Sequence, residues 1–562
     1  MENKEYISYL NSLHNYNAQN PNSYGEKNVN NIFFRDVMVK VELGNYILEK
    51  LKNEQPHIII LTGHAGDGKT SIMYQVLKDL GIEFKADEQV ENYILPSGKT
   101  CKCIKDFSEL DDKEKVRVLG EVVAMPDKDG FVFMVANTGP LINTFGELFD
   151  NSEDAERAKI DLIEAMDSNT GKINEIMGYK ICVINVATVD NTYFAVEFLE
   201  KVIQDKLWEK CSECQKKGFC HICRNRDLIK QNISKVNEFM EMHYVWLTEH
   251  GKRLTIRSIT EQIAYMITGG VNCEEVTRMD AYMYLFCNLF FGYIGTSVDS
   301  KAGNIIAIRE MQNCGYDNKR LRSDEVLLIN QEYSSIFTNE IVEIIHTAKD
   351  KNSLVTGWGE FLRRVYFFTN IVIDEKVVAH DCEDIFSKQF KRYLELRNGQ
   401  TTPSKLDVNL VCDALSMIYI GTTDNNSQIP LTLSRESGIA QNVQLITDML
   451  NDRTIRIVQR ASKDNLFCQN NRKLALKLEI NRVELKTEIT LPLLNYFEEL
   501  RNGVISTNVD PQLSHGIESL KAELSELVDP LEEDVFEMII LKNSGPKRVG
   551  LVITDDKKIR EM

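Results

Sequence analysis

The stretch Gly63-His-Ala-Gly66-Asp-Gly68-Lys69-Thr70 carries the spacing G-x-x-x-x-G-K-[ST] without a break. Glycines at these places let a backbone wrap closely around phosphate and turn successive N–H groups toward it. A helix beginning near Lys69 would aim its positive end at the same anion. Lys69 is then expected to reach the terminal phosphates of a nucleotide, and the Thr70 hydroxyl to hold a magnesium ion. The residues expected around the nucleotide are Gly63, Gly66, Asp67, Gly68, Lys69, Thr70 and Ser71; His64 and Asp67 are loop positions whose side chains receive no chemistry.

A phosphate cradle also needs an acid for its metal. The segment Thr100-CKCIKDFSEL reads as a strand ending at Asp106, and an Asp at the carboxyl end of a sheet strand is where a magnesium-water ligand belongs. Glu109 is the candidate catalytic base. The plainer reading is a helix start, because Ser108-Glu-Leu-Asp111 also fits a capping box opening a helix over 111–123. Asn137, at the end of the strand Gly130-FVFMVANTG, is expected to orient the attacking water or touch the γ-phosphate, against the alternative of a strand-ending turn. In Arg253-LTIRSITEQIAYMITGG, Ile256, Ile259, Ile263 and Ile267 share a helix face. Arg257, and less so Arg253, is a candidate to reach the γ-phosphate from a helical lid, although a solvated arginine at a helix start is the ordinary case.

These residues need rigid elements to position them. Ile58 to Leu61 form a wholly apolar run, as in a strand buried on both faces of a parallel sheet. After the loop, Ile72, Met73, Val76, Leu77 and Leu80 recur with helical spacing. The motif thus sits between strand and helix, the setting that a P-loop nucleotide site requires. About five strands alternating with helices between His57 and Asn191, with Thr188 ending the last, predict a parallel α/β sheet. The expected division is an N-terminal segment 1–56, an α/β P-loop NTPase core 57–205, a cysteine cluster with helical lid 206–300, a helical region 301–400 and a C-terminal α+β domain 401–562. The polar stretch Asn398-GQTTPSK marks the last boundary. Thr454-IRIVQRA, Leu474-ALKLEINRVEL, Phe536-EMIILKN and Arg548-VGLVITDD supply the strands of the last domain.

Cys211-Ser-Glu-Cys214 and Cys220-His-Ile-Cys223 pair two C-x-x-C knuckles across five residues. Four thiolates so placed suit a tetrahedral structural zinc site, with His221 a substitute ligand; free surface thiols, and after them an iron–sulfur cluster or redox pair, are the alternatives. The 13 cysteines of a chain opening without a basic start and apolar run point to reduced thiols in the cytoplasm. The uncharged stretch 281–298 is read as a buried helix rather than a membrane span. In Trp358-GEFLRRVYFFTN, arginines amid aromatics could stack on nucleic acid, but the spacing favours an amphipathic core helix with Arg363 and Arg364 outside. A formal charge of −18 excludes coating nucleic acid by bulk electrostatics and leaves a local patch or a partner chain. Nuclease, Ser-His-Asp and helicase constellations are not seen.

The Gly63–Thr70 loop with its Gly-Asp-Gly-Lys core, Lys105-Asp-Phe-Ser-Glu109, Asn137-Thr-Gly, the cysteine cluster and Arg364-Val-Tyr-Phe-Phe368 together resemble the DptF-like ATPases of bacterial DNA phosphorothioation-dependent (Dnd/Dpt) restriction systems. The resemblance covers most of the chain loosely. It implies an AAA+/STAND-like ATPase using ATP and Mg²⁺, with Lys69 and Thr70 carrying nucleotide and metal. It further implies partner proteins of an antiphage defence system and action on DNA; a homo-oligomer is a separate expectation, not one the resemblance carries. AAA+ proteins usually place Glu after the strand-ending Asp, whereas position 107 is Phe. This favours slow, partner-stimulated turnover. Arg320 and Arg322 are arginine-finger candidates solely by position. Two other readings stand beside a DNA-coupled ATPase: a nucleotide-gated sensor or scaffold that recruits an effector with little turnover, and a small-molecule or polynucleotide kinase.

Overall fold

The computed structural model describes residues 3–14, 31–55, 57–85, 88–168, 171–278, 282–352, 357–371, 381–423, 428–433, 442–461, 474–504, 509–527, 535–542, 545–554 and 557–561. They form two compact units. The first is built from Met1–Thr248 and Lys252–Asp381, the second from Glu249–Gly251, Cys382–Ser462 and Arg472–Met562. The division falls at Cys382 rather than at 401. The polar stretch at Asn398 joins two helices within the second unit, Lys388–Arg397 and Lys405–Ile420, the latter opened by a capping box between Ser404 and Asp407.

The first unit holds a six-stranded sheet of β1 (Ile58–Thr62), β2 (Val90–Ile94), β3 (Thr100–Ile104), β4 (Phe131–Val135), β5 (Asn174–Ile176) and β6 (Tyr179–Asn185), in the order β2-β3-β4-β1-β6-β5. β3, β4, β1 and β6 are mutually parallel, while the two edge strands, β2 and β5, run against their neighbours. The sheet is therefore largely, not wholly, parallel. Its central strands are apolar throughout because both faces are covered. Ile59, Leu61, Phe133 and Ile184 face one core with Leu43, Ile47, Met73 and Val76 from flanking helices. Ile58, Ile60, Met134 and Val183 face the other with Val118, Val122, Phe145 and Leu162.

Three local expectations are corrected. Helix Asp112–Val123 is capped by Asp111, whose side chain accepts from the Glu114 N–H; Ser108 lies instead in a short 3-10 turn, Phe107–Glu109, capped by Asp106. The described part of 281–298 is not one helix. It forms the short helix Phe286–Phe290 and then a hairpin of β7 (Tyr293–Ile294) and β8 (Ser297–Val298). Gly292 and Gly295 take positive φ, 77° and 61°, a conformation that breaks a helix and suits glycine.

The third correction concerns helix Trp358–Thr369, where neither arginine is outside. Arg364 is 0% and Arg363 8% exposed. Arg364 pairs with Asp317 Oδ2 at 2.5 Å, donates to Asn288 Oδ1 at 2.9 Å and lies 3.9 Å over the Tyr293 ring. Arg363 grips Asp324 with two nitrogens at 3.0 and 2.8 Å. A buried guanidinium requires partners of this kind.

The second unit is α+β. It contains β9 (Gln428–Thr432), β10 (Val443–Asn451), β11 (Ile455–Ala461), β12 (Leu474–Ile480), β13 (Val483–Glu488), β14 (Val535–Lys542), β15 (Gly545–Ile553) and β16 (Ile559–Glu561). They make a five-stranded sheet in the order β16-β15-β14-β10-β9 and a three-stranded meander β11-β12-β13, all antiparallel. Among the described residues, no helix is long and apolar enough to cross a membrane.

Candidate functional site

β1 ends at Thr62, the loop 63–68 follows, and helix Lys69–Asp79 begins at once. Gly66 and Gly68 hold left-handed conformations, φ 90° and 80°. Space as well as backbone demands glycine there. A Cβ on Gly66 would lie 3.1 Å from Arg257 Cβ, and one on Gly68 would lie 2.8 Å from Ile256 Cδ1. Helix Ile256–Thr268, opened by the Thr255 cap, thus packs directly onto the loop. The Arg257 N–H donates to the Gly66 carbonyl at 3.1 Å.

Beside the loop opens a cavity of about 430 Å³, within the range of small-molecule sites. Its polar end is formed by Gly66, Gly68, Lys69, Thr70 and Ser71, by Asp106, Ser108 and Glu109 following β3, by Asn137 following β4, and by Arg257 and Thr260. The five residues expected to do chemistry, Lys69, Asp106, Glu109, Asn137 and Arg257, therefore share one cavity. The expected magnesium ligands Thr70 and Asp106 do too. Gly63, Asp67, Arg253, Arg320 and Arg322 are not among its lining, and Thr188 lies in a 3-10 turn with its hydroxyl donating to Asn185 O.

The Lys69 ammonium donates to His64 O at 2.7 Å and to Asn137 Oδ1 at 3.0 Å. Burial pushes its pKa below the usual lysine value, against the pull of the Asp67 and Asp106 carboxylates. The Asn137 N–H donates to Ser108 Oγ at 2.8 Å, tying the ends of β3 and β4 together. Asp106 accepts from the Ser108 N–H through Oδ1 at 2.9 Å. Glu109 Oε2 accepts from Gln89 Nε2 at 2.9 Å. A magnesium ion needs one or two protein oxygens when phosphates supply others, and the Thr70 hydroxyl and Asp106 carboxylate, both in the cavity lining, are oxygen donors of that kind.

Asp67 departs from its expected surroundings. Its side chain turns away from the cavity, fully buried, and accepts from the His64 N–H at 2.8 Å and from Arg253 Nη1 at 2.9 Å. Four residues further along helix Ile256–Thr268 from Arg257, Glu261 is buried with no hydrogen-bond partner for its Oε1 among the described residues. Burial pushes its carboxyl up to about 7.

Apolar side chains also line the cavity: Tyr9, Leu13, Phe34, Val37, Val39 and Val41 from the N-terminal segment, with Phe194 and Phe198. Residues 1–56 carry no motif that marks them for a site. The nearest signal was the valine alternation at 37, 39 and 41, which resembles any half-buried edge.

Cys211, Cys214, Cys220 and Cys223 do gather, and Cys273 joins them around a small void of about 10 Å³. Yet among the described residues no group of three or more His, Cys, Asp or Glu is placed to hold a metal ion. The closeness of Cys223 lowers the Cys220 thiol to about 6 and lowers Cys211 too, while Cys223 itself is raised. His221 is not turned to the thiols, since its Nε2 meets Thr268 O at 3.1 Å. The side chains as they stand do not meet the zinc expectation. No family model, no curated protein and no solved structure matches the chain, so the cavity is interpreted from its own geometry.

Proposed function

We propose that this chain binds a nucleoside triphosphate with magnesium in the 430 Å³ cavity and hydrolyses its terminal anhydride slowly. The observation that carries this reading is convergence. Lys69 with Thr70, Asp106 with Glu109, Asn137 and Arg257 come from four stretches of chain and line one cavity at the carboxyl ends of parallel strands, where open α/β sheets take their ligands.

In this reading the loop N–H groups and the first turn of helix Lys69–Asp79 hold the phosphates. Lys69 exchanges its bond to His64 O for phosphate oxygen. Thr70 and Asp106 hold the magnesium, which neutralises charge on the phosphates. Asn137 orients a water whose oxygen attacks the terminal phosphorus while the bridging P–O bond breaks toward the diphosphate. Glu109 takes the water proton, and Arg257 meets charge gathering on the terminal phosphoryl oxygens. The apolar wall from Tyr9 to Val41 covers the base and sugar.

The resemblance to DptF-like ATPases supports ATP as the nucleotide and a bacterial restriction system as the setting, with partner proteins and DNA as the objects of the work. A net charge of −18 assigns any DNA contact to a local patch or to partners. Zinc at the cysteine knuckles is no part of this reading. The second reading, a nucleotide-gated sensor or scaffold, is favoured by two features. Phe107 fills the place next to Asp106 with a fully buried ring, and Glu109 is engaged by Gln89. Both lower the expected turnover.

The deciding experiment is phosphate release from ATP with and without double-stranded DNA, beside Lys69→Ala. DNA-stimulated release that Lys69→Ala abolishes establishes the coupled ATPase. Tight ATP binding without release, lost in the same variant, leaves the sensor. Absence of ATP binding by the native chain removes both.

A further inference from the structure

Two charged groups beside the phosphate loop take no part in the mechanism above. Asp67 sits at the fifth position of the Gly63–Thr70 motif, 0% exposed, and its carboxylate has two partners on two sides. Oδ2 accepts from the His64 N–H at 2.8 Å, bracing the turn from within. Oδ1 accepts from Arg253 Nη1 at 2.9 Å, and Arg253 Nη2 donates to the Val186 carbonyl at 3.1 Å, just beyond β6. One guanidinium therefore joins the middle of the loop to the end of the neighbouring sheet strand. Two residues after Arg253, Thr255 caps the helix that touches Gly66.

We propose that Arg253 is a positioning residue for the phosphate loop, acting through Asp67 rather than on the nucleotide. The inference rests on the nucleotide reading of the cavity. A loop that presents N–H groups to phosphate must keep a strained, glycine-rich path when it is empty. A buried carboxylate holding one of those turns is costly unless a cation compensates it, and Arg253 is that cation. The two arginines of this segment divide the work: Arg257 lines the cavity, whereas Arg253 is spent on the loop's rear face.

The logic fixes the signs of a mutational square. Arg253→Ala leaves the buried Asp67 carboxylate without its guanidinium partner, so the loop loosens. Affinity for Mg·ATP falls about ten- to a hundredfold, the scale of a charged hydrogen bond. Adding Asp67→Asn removes the stranded charge and keeps an acceptor for the His64 N–H, so the double variant binds more tightly than Arg253→Ala alone.

The test measures Mg·ATP affinity together with amide exchange of residues 63–70 in the nucleotide-free chain. Weaker binding and faster loop exchange in Arg253→Ala, both partly restored by Asp67→Asn, support the proposal. Unchanged affinity and unchanged exchange in Arg253→Ala overturn it, as does an Arg253→Ala loss that Asp67→Asn deepens. If the native chain binds no Mg·ATP while Arg253→Ala still speeds loop exchange, the nucleotide reading fails and the loop brace stands. Should Arg253→Ala not fold, Arg253→Lys keeps the charge without the two-pronged grip. Native-like affinity and exchange in Arg253→Lys then overturn the proposal.

Discussion

Lys69 and Asn137 are joined by a 3.0 Å hydrogen bond from the ammonium to Oδ1, linking the loop after β1 to the end of β4. The amide thus holds the lysine, and in the proposed nucleotide reading it also faces a water beside the terminal phosphate. Asn137→Ala is expected to slow phosphate release about tenfold or more while changing ATP affinity less, because an orienting group acts mainly in the transition state. Steady-state phosphate release over a range of ATP concentrations separates the two. A pure loss of affinity with unchanged turnover would assign Asn137 to binding.

Thr70 and Asp106 are expected to act through the metal. Thr70→Ala and Asp106→Asn should each weaken ATP binding roughly tenfold in magnesium and change it little in EDTA. Calorimetric titrations in both buffers check this. Equal losses with and without magnesium would mean that these side chains hold phosphate or loop structure instead.

Glu261 makes stability depend on pH. Its carboxyl titrates at about 7 in the fold against 4.5 ordinarily, so the folded chain binds the extra proton between those values. Stability from this group is fully present below about pH 4.5 and is lost as pH rises through 7. Glu261→Gln keeps the shape and carries no charge. It is expected to be more stable than the native chain at pH 8, by about 3 kcal/mol at most, with the gap closing toward pH 4.5. Urea unfolding at pH 5 and pH 8 measures the difference; a gap that does not narrow at the lower pH contradicts the assignment.

Arg364 and Asp317 should be far costlier to separate than to remove together. Arg364→Ala strands a buried carboxylate and is expected to destabilise the first unit by about 3 to 5 kcal/mol. Arg364→Met combined with Asp317→Leu is expected to cost clearly less. Denaturant midpoints of the single and double variants provide the comparison, and additive losses would show that the pair is not acting as a unit.

The central strands were legible because burial on both faces leaves little room for polar residues, and 58–61 and 131–135 contain none. The loop was legible because its glycines and lysine occupy fixed offsets. The edge strands were not, since direction is set by pairing: β2 and β3 are joined by a tight turn that reverses the chain. Arg363 and Arg364 were misplaced outside because their compensation comes from Asp324 and Asp317, some forty residues earlier in the chain. No local period records such a partner. The apolar wall was missed for a related reason: Phe34 and Val39 face a cavity formed only when the N-terminal segment folds against the loop. The cysteines are a different case. Their spacing brings them around one small void, but spacing alone does not fix the side-chain geometry that a metal demands.

Helix Ile256–Thr268 is fastened at both ends. Its first turn bonds Gly66, and its last carbonyls, Ile267 O and Thr268 O, meet Asn225 Nδ2 and His221 Nε2 at 3.1 Å each. Mechanically it is a beam with two clamped supports, about 20 Å long for its 13 residues. A beam held this way carries displacement along its axis instead of absorbing it by bending. A shift of the glycine turn along that axis is therefore expected to be felt at Asn225 and His221, beside the cysteine knuckles.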